Sequence, residues 1–157
     1  MKIKLLVIGK TDNKHISVLF DDYWKRLQHY ASFEIAVIPD LKNAKNIPFA
    51  QLKELQGDLL QKSFEPTDEV ILLDENGTHY KSTEFAEFLE KKFLSSAKRL
   101  VFVVGGAYGF SQHVYDRANV QISLSKMTFS HQMVRLIFAE QLYRAFTIIK
   151  GEKYHHE

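Results

Sequence analysis

The sequence contains no cysteine among its 157 residues. This absence excludes disulfide bridges, zinc sites with cysteine ligands and cysteine nucleophiles. The chain also has no apolar run near the ~20 residues that a membrane-spanning helix needs. We therefore expect no membrane segment. The seven histidines show no His-x-x-x-His spacing, so we also expect no metal site. The stretch from Met1 to Gly9 carries charge and has too short an apolar core for a signal peptide, which indicates a cytoplasmic protein.

The sequence lacks the glycine and nucleophile motifs of several common enzyme classes. There is no G-x-G-x-x-G segment, no glycine-rich loop followed by Gly-Lys-Ser/Thr and no G-x-S-x-G segment. Dinucleotide-binding folds, phosphate-binding loops and serine hydrolases are therefore poorly supported. The composition is that of an ordinary globular protein, with 45% hydrophobic, 13% aromatic and 25% charged residues, which excludes a disordered or low-complexity chain.

The small net charge of +2 is the sum of two unlike regions. Residues 65–90 hold eight acidic residues and one basic residue, a net charge of −7, which leaves +9 for the rest of the chain. The basic excess lies in the N-terminal segments and near the C-terminus. It suits contacts with RNA phosphates, although it is modest for a protein that binds any RNA indiscriminately.

Five short apolar runs, rich in β-branched or aromatic residues, predict buried strands. They are Ile3–Ile8, Glu34–Ile38, Val70–Leu73, Leu100–Val104 and Val120–Leu124. Each is followed by turn-forming residues, among them the Asn76-Gly77 pair after the third run. The run Val101–Val104 has no polar alternation, which is typical of a central strand covered on both faces.

Helical spacing of apolar residues predicts five helices between and after these strands. They are Ser17–Tyr30, Ala50–Phe64, a helix capped by Ser82 that carries Phe85 to Phe93, a short helix after Ser111, and a long helix that Ser130 caps and Gly151 ends. The polar stretch Pro39–Pro48 is expected to be a mobile loop. Since strands and helices alternate, we expect an α/β fold with a mostly parallel sheet and helices on both faces, in one domain over residues 1–157.

Three predicted strand ends carry candidate functional residues, because open α/β sheets bind ligands beyond the carboxyl ends of their strands. The segment Gly105–Gly109 brings a ligand close to the backbone or simply forms a tight turn. Asp74 and Glu75 could act as acid and base, although paired acids after a strand are more often solvated turn residues. The segment Ser125–His131 leads into the long helix, whose first N–H groups are free. Its simpler roles are helix capping and core filling.

The C-terminal segment Gly151–Glu157 is a fourth candidate, because Tyr and His at an exposed end can stack on a nucleobase and hydrogen-bond to it. The alternatives for the same residues are a frayed end or the remnant of a purification tag.

Seven segments of the chain form a recognisable set. They are Lys4–Lys10, Tyr23 with Arg26-Leu27, Leu73-Asp74 with Gly77, Val104-Gly105-Gly106 with Gly109, Leu124–Arg135, Glu140–Phe146, and Gly151-Glu152 with Tyr154-His155. In these segments the chain resembles the RlmH family of SPOUT-superfamily methyltransferases. The resemblance runs from end to end, and the part from Ser125 to Arg144, together with the Tyr-His tail, is the most specific.

The resemblance implies S-adenosylmethionine-dependent methylation at N3 of a pseudouridine in helix 69 of 23S ribosomal RNA, on the assembled ribosome. It also implies a deep trefoil knot at the C-terminal side of the sheet, which ordinary chain topology does not predict. It implies a homodimer whose interface uses the long helix and whose RNA site is shared between the subunits. The implied cofactor contacts are Leu73, Gly105, Leu124, Ser125, Lys126, Met127, Thr128 and Phe129.

Three residues near the C-terminus are expected to serve the transfer itself. His155 is the first candidate for the base that deprotonates N3, and Tyr154 is the candidate for stacking on the target base. Arg144, with Arg135 as a second candidate, is expected to contact phosphate or developing charge. His156 stands where the family often carries Arg or Lys, which weakens a phosphate role there. The competing functions are a non-enzymatic RNA-binding or ribosome-binding factor and a methyltransferase that acts on transfer RNA.

Overall fold

The computed structural model describes residues 1–156. Strands and helices alternate along the chain. They are β1 (Lys2–Ile8), α1 (Lys14–Leu27), β2 (Ser32–Ile38), α2 (Phe49–Lys62), β3 (Asp68–His79), α3 (Ser82–Phe93), β4 (Arg99–Val104), α4 (Gln112–Arg117), β5 (Val120–Ser123) and α5 (His131–Ile149). The five strands form one sheet in the order β2-β1-β4-β3-β5, and every pair is parallel. The predicted α/β class is therefore confirmed, while the trefoil knot stays a prediction.

Helices cover both faces of the sheet, as expected. Side chains alternate along a strand, so Ile3, Leu5 and Val7 of β1 point to one face and Leu6 and Ile8 to the other. The first face packs against α1, α3 and α5, and the second against α2 and α4. The central run of β4 is fully buried, with zero exposure from Leu100 to Val103, which confirms its prediction as a strand covered on both faces.

Helix boundaries differ from the predicted ones where a side chain provides an unforeseen cap. Helix α1 begins three residues before Ser17, because the Asn13 side chain accepts hydrogen bonds from the N–H groups of His15 (3.0 Å) and Ile16 (3.2 Å). Ser82 is the first residue of α3 and not its cap. Its hydroxyl donates instead to Gln141 Oε1 at 2.9 Å, which ties α3 to α5. The predicted loop Pro39–Pro48 contains a short 3-10 helix, Ala44–Asn46.

The third strand does not end at Asp74, where the Asn-Gly pair had predicted a turn. Strand β3 continues to His79, and its pairing with β5 shifts in register between Leu73 and Thr78. Gly77 makes the continuation possible, because a Cβ on this residue would lie 2.6 Å from the backbone carbon of Gln121. Residues 74–77 are thus an irregular extended segment along β5, not an exposed hairpin turn.

Helix α5 packs between α1 and α3 across the sheet. Ser130 caps it as predicted, since its hydroxyl accepts a hydrogen bond from the N–H of Met133 at 3.2 Å. Gly151 follows its end with a φ of +69°, a left-handed conformation that favours glycine. Met133, Ile137, Glu140 and Arg144 follow one another at helical spacing on the outer side of α5, where none of them is fully buried.

Candidate functional site

A cleft of about 600 Å³ opens at the carboxyl ends of β3, β4 and β5. Parallel strands meet their following loops at the same edge of a sheet, and this is where open α/β sheets bind ligands. The walls are the irregular part of β3, the loop between β4 and α4, and the loop between β5 and α5. All three predicted strand ends therefore meet at one cleft, and its volume lies within the ~300–1,000 Å³ of small-molecule sites.

Seven of the eight residues expected to contact a cofactor line this cleft. They are Leu73, Gly105, Leu124, Ser125, Met127, Thr128 and Phe129. The eighth, Lys126, is exposed and does not line it. The cleft also contains residues for which the sequence suggested no ligand role, among them Tyr108, Phe110 and Tyr115.

The glycines after β4 let the loop pack closely against neighbouring side chains. A Cβ on Gly105 would lie 3.0–3.3 Å from ring atoms of Phe110, and a Cβ on Gly106 would lie 2.5 Å from Gln56 Oε1. Gly109 has a φ of +82° and donates its N–H to the carbonyl of Gly106 at 3.2 Å. The segment therefore forms the tight turn, which is one wall of the cleft, while its contact with a ligand stays a prediction.

Two acidic residues, Asp74 and Glu75, line the cleft together with the glycine loop. The Tyr115 hydroxyl donates a short hydrogen bond to Asp74 Oδ2, and the N–H of Asn76 donates to Asp74 Oδ1 at 2.9 Å. Burial, together with the hydrogen bond to Asp74, raises the pKa of Tyr115 to about 12, so this hydroxyl keeps its proton at neutral pH. Glu75 Oε2 accepts a hydrogen bond from the Thr128 hydroxyl at 2.9 Å, which connects β3 to the loop after β5.

The loop after β5 is shaped by its own hydroxyl groups. The Ser123 hydroxyl donates to the carbonyl of Ser125 at 2.9 Å, and the Ser125 hydroxyl accepts from the N–H of Met127 at 2.9 Å. The Met127 side chain lines the cleft and is 77% exposed. The expectation that Met127 might fill the core is therefore wrong, because this side chain faces solvent.

The three residues expected to serve the transfer lie together at the far end of α5. Arg144 Nη1 lies 3.1 Å from His155 Nδ1, and the Arg144 guanidinium lies 4.9 Å from the centre of the Tyr154 ring. The Tyr154 ring also meets Tyr143 edge-on, with centroids 4.8 Å apart. The tail is thus packed against α5 rather than frayed.

Glu140 is the residue of this cluster whose role the sequence reasoning missed. Its Oε1 accepts hydrogen bonds from Arg144 Nη2 at 2.6 Å and from the Tyr154 hydroxyl at 3.1 Å. Burial raises the pKa of Tyr154 above its ordinary value, and hydrogen bonding to Tyr23 and the negative charge of Glu140 raise it further. The signal was present in the sequence, because an acid four residues before an arginine on a helix predicts an ion pair.

Within one chain, the cleft and the C-terminal cluster are far apart. His131 lines the cleft at the start of α5, and Arg144 follows it by 13 residues. At 1.5 Å per residue, this places Arg144 about 20 Å further along the helix axis. A reaction that needs both sets of residues therefore cannot take place within one chain in this conformation.

Arg135 does not have the role suggested for it. Its side chain is buried, with 1% exposure, and donates to the carbonyls of Ile8 (3.0 Å) and His131 (3.1 Å) and to the Thr11 hydroxyl (3.0 Å). Burial lowers its pKa below the usual value for arginine. A guanidinium with these partners ties α5 to the end of β1 and is not available to phosphate.

The part of the chain that the structure describes contains neither a metal-binding group nor a membrane-spanning helix. Across residues 1–156, no three His, Asp or Glu side chains are grouped so that they could bind a metal ion. In the same residues, no helix has the length and apolar character needed to cross a membrane.

An all-parallel sheet with helices on both faces and a ligand-sized cleft at its strand ends is typical of α/β proteins that bind small molecules. A family model described as "Predicted SPOUT methyltransferase" matches residues 1–155. The chain belongs to the SPOUT methyltransferase family.

Individual relatives match over the full length of both chains. A protein of Flavobacterium johnsoniae is 55% identical over 157 residues, one of Flavobacterium psychrophilum is 56% identical, and one of Parabacteroides distasonis is 57% identical. In each pair all of this chain and all of the relative are covered, and each relative is named ribosomal RNA large subunit methyltransferase H.

Proposed function

We propose that this protein transfers a methyl group from S-adenosylmethionine to N3 of a pseudouridine in helix 69 of 23S ribosomal RNA. The observation that carries the proposal is the convergence of seven expected cofactor contacts, from three distant parts of the sequence, on one cleft. The names of the full-length relatives support large-subunit ribosomal RNA as the substrate. Such a substrate places the enzyme in the cytoplasm.

The chemistry of the cleft fits S-adenosylmethionine. Its lining combines apolar side chains such as Leu73 and Phe129, which suit an adenine ring, with backbone groups of two loops and with hydroxyl and carboxylate groups. The Gly105–Gly109 turn lets a ligand approach the backbone. When bound, the cofactor supplies an electrophilic methyl group on a sulfonium.

The residues of the C-terminal cluster serve the nucleobase in this proposal. N3 carries a proton that must leave before nitrogen can form a bond to the methyl carbon. Because a guanidinium only donates, Nδ1 is the acceptor nitrogen of neutral His155 in its contact with Arg144, and His155 takes the proton there when Arg144 turns towards the charged base. Arg144 lies beside His155 Nδ1 and can stabilise the negative charge that develops on the base. The ring of Tyr154 offers a surface on which the base can stack.

We further propose that the working form is a homodimer. About 20 Å separates the two sets of residues along α5 of one chain, so a complete site requires the cluster of one copy beside the cleft of another. The outer side of α5, with Met133 41% exposed and Ile137 half-buried, suits a self-complementary contact in which the two helices run in opposite directions. In that arrangement the end of one helix lies near the beginning of the other.

A methyl-transfer assay tests the proposed function. The protein is incubated with radiolabelled S-adenosylmethionine and, separately, with assembled ribosomes, free large subunits, naked ribosomal RNA and transfer RNA, all lacking the modification. We expect labelling of the 23S RNA in ribosomes at one pseudouridine. Labelling of transfer RNA alone would contradict the proposed substrate. Binding of ribosomes without any labelling would favour a non-enzymatic factor.

A further inference from the structure

The side chains that line the cleft carry a net negative charge. Among the described residues that line it, Asp74 and Glu75 are the only ones with a formal charge at neutral pH, with His131 counted as neutral. No lysine or arginine is among them, and the exposed side chain of Lys126 lies outside the lining. A chain with a net charge of +2 thus presents a local charge of −2 at its ligand site.

The carboxylate of Asp74 has a fixed orientation. Tyr115 donates to Oδ2 and the N–H of Asn76 donates to Oδ1, so one donor from α4 and one from the backbone of β3 determine the plane of the group. Each carboxylate oxygen has about two acceptor positions, so one on each oxygen is left for a ligand. In this hydrogen bond the Tyr115 hydroxyl is the donor and the Asp74 carboxylate is the acceptor.

Glu75 adds a second negative charge from the exposed side of the cleft. Its bond with Thr128 places it between β3 and the loop after β5, where Met127 and Phe129 also line the cleft. Two carboxylates fixed by hydroxyl donors, in a site with no basic side chain of its own, favour a cationic ligand over a neutral one.

We propose that Asp74 and Glu75 make the cleft selective for the charge state of the methyl donor, so that it binds the sulfonium cofactor more tightly than the thioether product. This inference rests on the proposed function. S-adenosylmethionine and S-adenosylhomocysteine carry the same ammonium and carboxylate groups, and only the former carries the sulfonium charge. The two ligands differ in one methyl group and in the charge that it brings, so the change that Asp74→Asn causes in the ratio of their affinities reports the effect of this carboxylate on that charge.

The selectivity has a consequence for turnover. When the methyl group leaves, the bonding electrons stay on sulfur, and the positive charge disappears from the cleft. The two carboxylates then lose their electrostatic partner, which weakens binding of the product and favours its exchange for a new cofactor.

Calorimetric titration of the full-length protein tests this inference. The ligands are S-adenosylmethionine, S-adenosylhomocysteine and sinefungin, in which a protonated amine replaces the methylated sulfur. We expect Asp74→Asn to weaken binding of both cationic ligands by roughly fivefold to tenfold, the effect of one lost charge-assisted contact. S-adenosylhomocysteine should change by less than about twofold. Glu75→Gln should act in the same direction with a smaller effect, because Glu75 is exposed. Glu87→Gln, an exposed acid on α3 outside the cleft, is the matched control and should change nothing.

Other outcomes would contradict either the charge selectivity of the cleft or the proposed cofactor. Equal weakening of all three ligands by Asp74→Asn would overturn the inference, because Asp74 would then act as an ordinary hydrogen-bond acceptor. If Asp74→Asn does not fold, Glu75→Gln and the salt dependence of the wild type decide. Affinity for the two cationic ligands should fall more steeply with added salt than affinity for the zwitterionic thioether, and equal salt responses would overturn the inference as well. Failure of all three ligands to bind the folded wild type would contradict the proposed cofactor itself.

Discussion

Glu140 and Arg144 form an ion pair one helical turn apart on α5, with Oε1 2.6 Å from Nη2 and 3.1 Å from Nε. The same oxygen accepts the hydroxyl of Tyr154, and Arg144 in turn contacts His155. One carboxylate therefore determines where the C-terminal residues lie relative to the helix. Both side chains of the pair are only partly buried, so the pair contributes little to stability and its role is to position the tail.

Glu140→Gln should reduce methyl transfer without weakening cofactor binding. The amide keeps the size of the side chain but loses the charge that orients Arg144, and a displacement of about 1 Å can cost roughly a hundredfold in rate. We expect the rate with ribosomes to fall tenfold to a hundredfold, by this same reasoning. Affinity for S-adenosylmethionine, measured by calorimetry, should be unchanged because neither Glu140 nor Arg144 lines the cleft. Glu87→Gln is the control, and a matching loss in that variant would show that the effect is not local.

Complementation between two inactive variants should reveal a site shared between subunits. Gly105→Val impairs the cleft, and His155→Ala removes the proposed base. If the site combines the cleft of one subunit with the tail of the other, a mixed dimer keeps one intact site. Random mixing by co-expression then gives about a quarter of wild-type activity, since half of the dimers are mixed and each has one of two sites. A mixture as inactive as its components would show that each chain supplies its own complete site.

The order of elements and the location of the cleft were predictable from the sequence, because both follow from local patterns. Buried runs such as Val101–Val104 need both faces covered, and residues after parallel strands necessarily meet at one edge of the sheet. The α/β class follows directly from that alternation. The boundaries were less accurate where a side chain such as Asn13 caps a helix in competition with other polar residues.

Features that depend on tertiary contacts were not predictable. The Asn76-Gly77 pair usually forms a turn, but here Gly77 lets β3 continue beside β5, and only the position of Gln121 shows why glycine is required. Arg135 resembles a phosphate contact in sequence, whereas its partners Ile8 and Thr11 lie more than 120 residues away along the chain.

Gly105→Val should abolish cofactor binding in a folded protein. A Cβ at this position already lies 3.0 Å from the Phe110 ring, so the branched side chain has to displace Phe110, which itself lines the cleft. We expect no measurable binding of S-adenosylmethionine by calorimetry, together with a native circular dichroism spectrum. Gly151→Asn is a comparison at a glycine with open space around it and a left-handed φ, which asparagine tolerates, and it should bind normally. Unchanged affinity in folded Gly105→Val would remove Gly105 from the cofactor site.

Alkaline titration should show three tyrosines that ionise at raised pH. Burial raises the pKa of Tyr30 and Tyr115 from 10.0 to about 12, helped by hydrogen bonds to Glu152 and Asp74, and Tyr154 is also raised. A raised pKa in the folded state means that the stabilisation is complete below pH 10 and is lost as the pH rises through about 12. Ultraviolet absorbance of tyrosinate should therefore show three groups ionising late, and Tyr115→Phe should leave two. The free energy of unfolding, measured with urea, should also decline less steeply above pH 10 in Tyr115→Phe, whereas an identical decline would show that Tyr115 does not donate to Asp74 in solution.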